Sequence, residues 1–139
     1  MKIIRLTIYF GVICLALSCN KKDILQPEEM GLKGTWILFQ TSSWDGTRQV
    51  YQPVNSIPQQ TITFFSSSQF SANNLKDSVF LDVRYYGESY TDIIGPLLFL
   101  SDKKDDFTTG TIAGYLINRD TLEIRPYKKI SKSFKFRRL

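Results

Sequence analysis

The chain predicts an all-β domain: a small antiparallel up-and-down β-barrel of about eight strands, with a β-sandwich as the alternative. Three observations carry this. From Leu32 onward, short runs rich in β-branched and aromatic residues are separated by polar turns, and none sustains a helical period. Several runs alternate strictly. Val79, Leu81, Val83 and Tyr85 fall on one face, with Asp82 and Arg84 on the other; Leu122 and Ile124 alternate with Thr121, Glu123 and Arg125. The runs also recur about every dozen residues, the spacing of a meander that closes on itself.

Taken in order, strands are expected at Gly34–Thr41, Arg48–Tyr51, Gln60–Phe65, Gln69–Asn73, Ser78–Tyr86, Leu97–Ser101, Thr108–Ile117, Thr121–Arg125 and Ile130–Arg138. Asn118-Arg119-Asp120 is a short polar hairpin turn between two of them. Trp44-Asp45-Gly46 lies in the first loop, followed by Arg48 and Tyr51. Either these residues form a surface interaction site whose exposed Trp and Tyr stack on a sugar or an aromatic ligand, or Asp45-Gly46 is simply the hairpin turn with Trp44 packed over its end. In the last run Phe134 and Phe136 share a face against Ser133, Lys135 and Arg137.

The N-terminus is built differently. Lys2 and Arg5 precede an apolar run, Leu6 to Leu17, which Ser18 and Cys19 close. This run of 12 residues is shorter than the ~20 needed to cross a bilayer, and its flanks are those of a cleaved export signal. Leu17-Ser18-Cys19 resembles the lipobox of bacterial lipoproteins, although Ala16 and Leu17 stand in the reverse of the usual order. The resemblance implies cleavage before Cys19, acylation of its thiol and new amine, and anchorage in the outer membrane. An ordinary secretory signal is the alternative. Cys14, preceded by bulky Ile13, is the poorer acylation candidate.

The expected organisation is thus a signal at 1–18, an acylated cysteine and flexible tether at 19–31, and a domain at 32–139. The tether, with Pro27 and several charges, reaches about 40 Å when extended. Asn20-Lys21-Lys22-Asp23 loosely resembles the charged sorting signals of Bacteroidetes surface lipoproteins; a solvated spacer explains it as well.

Composition narrows the chemistry. Losing the signal removes two of the 18 Lys and Arg and none of the 13 acids, leaving 16 against 13, a net +3. No cysteine then remains for a disulfide, so packing must hold the domain together. There is no histidine, which removes the commonest general base and metal ligand. No metal, cofactor or nucleic acid is expected, and a non-enzymatic role is favoured. Asp102-Lys103-Lys104-Asp105-Asp106 lacks the spacing of a calcium loop and reads as a solvated turn.

Gly34-x-Trp36 at the head of the first strand resembles the opening motif of lipocalins. That resemblance implies a Trp lying across the closed end of an eight-stranded barrel, with an Arg of the last strand stacked on its ring. Arg138 matches better than Arg137, since it shares the phase of Phe134 and Phe136. Thr61-Ile62-Thr63-Phe64-Phe65 with Phe70, and Tyr115-Leu116-Ile117 with Asp120-Thr121-Leu122-Glu123-Ile124, are similar to pieces of small lipocalin-like lipoproteins of Bacteroidetes. The middle motif and disulfide of longer lipocalins are missing.

Two functions follow from this reading. A carrier would bind a small apolar or amphipathic ligand at the open end, through the inward candidates Phe64, Phe70, Val79, Leu81, Val83, Tyr85 and Leu116. An interaction module would keep a filled barrel and bind a partner protein, or an envelope glycan or lipid, through its loops or its basic C-terminal strand. Eight strands enclose room for side chains or one small ligand, and ten Phe and seven Tyr compete for that room. Arg125–Leu139 holds seven Lys or Arg and no acid. It is either a face for anions or a charged guard on an exposed terminal strand.

Overall fold

The computed structural model describes residues 31–129 and 132–139. The export segment, Cys19 and the tether lie outside the described residues.

The domain is all-β. Its strands are β1 (Gly34–Trp44), β2 (Gln49–Pro53), β3 (Thr61–Phe64), β4 (Phe70–Asn73), β5 (Tyr85–Thr91), β6 (Gly95–Ser101), β7 (Thr111–Asn118), β8 (Thr121–Pro126) and β9 (Lys132–Arg138). They form a single antiparallel sheet in the order β4-β3-β1-β9-β8-β7-β6-β5, with β2 paired to the distal half of β1. Every hairpin neighbour is a sequence neighbour, as a meander requires. The first strand is the exception: its edge serves both β2 and β3, and its other side receives β9.

The sheet curls into a half-barrel whose two edge strands touch over a short stretch. Gln69 and Tyr85 form one antiparallel bridge. Phe70 N–H donates to the Arg84 carbonyl at 2.7 Å and Tyr86 N–H to that of Ser68 at 2.9 Å. The Tyr86 hydroxyl adds a bond to the Phe65 carbonyl at 3.0 Å.

The expected strand Ser78–Tyr86 begins only at Tyr85. Asp77 is the reason. Its carboxylate accepts the Val79 N–H at 3.1 Å and its carbonyl accepts the Phe80 N–H at 3.0 Å, which winds the chain into a turn. Asp82 then takes a left-handed φ of 62°, a conformation short polar side chains tolerate. Strict alternation is broken, and Phe80 swings inward.

Phe80 becomes the hub of the core. Its ring lies 5.1 Å from Phe134 and 6.0 Å from Phe136, both edge-on, and stacks on Phe70 at 6.2 Å. Phe64 bridges Phe70 and Tyr86 at 5.2 and 4.9 Å. With Trp36, Ile62, Leu98, Leu100, Leu122 and Ile124 these rings are essentially inaccessible to solvent. Side chains fill the barrel axis.

A second irregularity sits in β1. Its register with β9 runs Trp36–Arg138 and Leu38–Phe136, then skips Phe39 and resumes at Gln40–Lys135. This β-bulge inserts one extra residue and inverts the facing of all that follow. Before it, Trp36 and Leu38 point into the core; beyond it, Gln40, Ser42 and Trp44 pair outward.

Candidate functional site

The residues expected to line an open-end pocket do not share a face. Phe64, Phe70 and Val79 are buried in the core, and Val83 and Tyr85 are half-buried. Leu81 and Leu116, expected to point inward, are more than half exposed. For Leu81 the cause is the Asp77 turn. For Leu116 it is strand phase: it pairs with Glu123 on the outer side, while its neighbour Tyr115 pairs with buried Ile124. Leu116 instead borders a surface cleft of about 440 Å³ with Asn118, Arg119, Glu123 and Lys135.

At one end of the barrel the structure brings Trp36 and Arg138 together. They are register partners, and the guanidinium carbon lies 4.3 Å from the ring centroid. Such a contact contributes ~0.5–2 kcal/mol. Arg138 also donates to the carbonyls of Gly31 at 2.7 Å and Lys33 at 3.0 Å, while the Trp36 indole N–H donates to Leu32 at 2.8 Å. The turn beneath them uses Gly34 at a φ of +118°, with Arg138 Nη1 only 3.5 Å from where a Cβ would stand. Only glycine accepts that backbone readily.

The other three cations of β9 follow the same rule. Lys132 lies over Phe134 at 5.1 Å and is paired with Asp77; Lys135 lies over Tyr51 at 4.8 Å; Arg137 lies over Phe39 at 5.1 Å. The strand is therefore no exposed edge guarded by charge. It is flanked by β1 and β8, and each of its cations lies over an aromatic ring.

Outside the barrel, beyond the bulge, a ring-and-cation face forms on β2, β1, β9 and β8. Trp44 and Tyr51 are 55% and 48% exposed. Tyr51 pairs with Ser42 and Trp44 with Gln49, so the two rings are diagonal neighbours on one face. Beneath them Ser42 and Ser133, both buried, share a hydroxyl bond of 2.7 Å, and Gln49 donates to Ser42 at 2.7 Å. Lys135 stands over Tyr51, and Arg125 bonds to Glu123 at 2.9 Å. Burial works against the charge on Glu123, but Arg125, Ser133 and Lys135 outweigh it and hold its carboxyl below the ordinary value.

The adjoining turn holds Arg48 at the rim. The Asp45 carboxylate accepts the N–H groups of Arg48 and Thr47, both at 2.9 Å, and the Thr47 hydroxyl at 2.8 Å. Those bonds, Arg48's first, lower its pKa. Gly46 completes the turn at a φ of +105°.

The charged loop 102–106 is a structured turn. Asp106 accepts the hydroxyl of Thr108 at 2.6 Å and its N–H at 3.2 Å, which lowers its pKa. Tyr115 donates to Glu88 at 2.8 Å, and burial together with that carboxylate pushes the phenol up. Sequence reasoning missed Phe80, the Phe39 bulge and the serine pair. A cue existed for the first: Asp77 two residues before Val79 is a turn signal. Compared with protein-family models, with characterised proteins and with solved structures, the chain finds no match.

Proposed function

We propose that this protein is a lipid-anchored, non-enzymatic binding module of the bacterial cell envelope, held to the outer membrane through Cys19. It uses the outer face of β2, β1, β9 and β8 to bind an acidic envelope glycan. The observation that carries this reading is the exposure of Trp44 and Tyr51 as diagonal neighbours on one face, with Lys135 over the Tyr51 ring and Arg48 in the adjoining turn, its guanidinium 3.7 Å from the Asp45 carboxylate. Aromatic faces stack on the C–H surfaces of sugars, and flanking cations pair with carboxylates. The carrier reading is the weaker one, because Phe64, Phe70, Phe80, Phe134 and Phe136 occupy the axis where a ligand would sit.

Tryptophan fluorescence tests it. The chain has two tryptophans; Trp36 is buried and Trp44 exposed, so the red side of the emission belongs to Trp44. Polygalacturonate, a uronic-acid polymer, should shift that emission to the blue and bind more weakly as salt rises. The Trp44→Ala and Tyr51→Ala variants should each weaken binding by about 1–2 kcal/mol. Binding that ignores both substitutions would sink the proposal.

A further inference from the structure

The β5–β6 hairpin ends in the most exposed apolar group on the domain's Trp36 end. Ile93 is 96% exposed, Tyr90 70% and Ile94 58%. Its turn, closed by the Thr91 hydroxyl accepting the Ile94 N–H at 3.1 Å and by Gly95 at a φ of +86°, spends no apolar side chain on its own packing. A hairpin tip is where polar residues are expected. Two adjacent exposed isoleucines and a tyrosine instead make a site that water disfavours.

Register places this tip at the end where the chain enters the domain. Trp36 pairs with Arg138, Arg137 with Thr121, and Thr121 with Asn118. From there β7 pairs with β6, which begins at Gly95, opposite Thr91 of β5. The 118–121 turn, the 92–94 turn and the Gly31–Lys33 entry thus share one end. The entry is fastened there by Arg138, which holds the carbonyls of Gly31 and Lys33. Only 11 residues lie between Cys19 and Gly31.

We infer that the 90–94 tip is a membrane-docking element, seated in the surface of the bilayer that carries the acyl anchor. This rests on the acylation of Cys19. An anchor fastened at this end presents this end to the lipid, and the tip offers the residues an interface accepts: isoleucines for the acyl boundary and a tyrosine for the headgroup level. Exposed Lys33 and Arg119 stand at the same end to meet lipid phosphates. Asp92 and Asp120 are exposed there too, which holds insertion to a shallow depth. The domain lies against the membrane. The ring-and-cation face begins at the opposite end, where the Asp45 turn points away from the lipid.

Site-specific quenching tests this on the full chain, expressed with its signal, purified and reconstituted in phosphatidylethanolamine–phosphatidylglycerol vesicles. Ile93→Cys and Thr47→Cys each supply one free thiol, since Cys14 leaves with the signal and the Cys19 thiol is acylated. Both carry an environment-sensitive dye. A headgroup-proximal nitroxide lipid should quench the dye at 93 several-fold more than the dye at 47. Equal or reversed quenching on acylated protein overturns the docking. The intact mass of the same sample reads the anchor separately: a mature chain without acyl mass defeats the anchor, and the docking with it.

Discussion

Two seams hold this barrel, and they are made differently. The β1–β9 seam is a continuous ladder from Trp36–Arg138 to Ser43–Lys132, interrupted only at Phe39. The β4–β5 seam has a single bridge, Gln69–Tyr85. Backbone closes the first, whereas the second adds side chains to a short run of backbone bonds at Phe70 and Tyr86. Phe80 reaches from the intervening turn to Phe134 and Phe136 across the barrel, and Lys132 of β9 pairs with Asp77 of that same turn. A sheet that does not finish its ladder is completed by its plug.

Removing the plug should therefore do the most damage. Phe80→Ala lowers stability by about 3–5 kcal/mol, read as a shift in denaturant midpoint, because it opens a cavity and frees the weak seam together. A loss below 1 kcal/mol would mean that the bridge alone closes the barrel. Arg138→Ala comes next, at about 2 kcal/mol, since it removes the ring contact with Trp36 and unpins Gly31 and Lys33. Tyr86→Phe deletes one hydroxyl bond at the weak seam and should cost ~0.5–1.5 kcal/mol. Amide exchange sharpens that test: Phe70 and Tyr86 should speed up in the variant while Ile37, on the strong seam, does not.

The smallest effect belongs to pH. The folded state lowers the pKa of Glu123, so its contribution is complete above the unfolded value of ~4.3. It is lost as pH falls through the folded value. Glu123→Gln should consequently sit below the parent in stability at neutral pH and converge with it in acid. Parallel curves at all pH values would show that the Arg125 contact does nothing for folding.

Much of this architecture was legible beforehand, and the failures are local. Strands whose apolar residues alternate and whose ends carry ordinary turn residues read correctly, such as Thr121–Arg125, which the structure extends by one residue to Pro126. The pairing of Trp36 with an Arg of the last strand follows from the resemblance of Gly34-x-Trp36 to the lipocalin opening motif, and the phase of Phe134 and Phe136 selects Arg138 over Arg137. Ser78–Tyr86 misled because its alternation is genuine, yet one carboxylate at Asp77 competes for the backbone and wins. The reading of the β9 cations as a guard on an exposed edge failed because the partner strand β1, and the rings Phe39 and Tyr51 beside those cations, are distant in sequence. Nothing in a linear pattern announces such partners.

The Phe39 bulge carries a further consequence. Counted from Trp36, every second residue of β1 would face the core as far as Trp44, and the tryptophan would be one more interior ring. One inserted residue reverses that parity, so the outward face owes its existence to a count rather than to its composition. Deleting position 39 would exchange inside and outside for Gln40 through Trp44 in one stroke. A lineage could gain or lose the whole surface by a single codon, with every residue that builds it left unchanged.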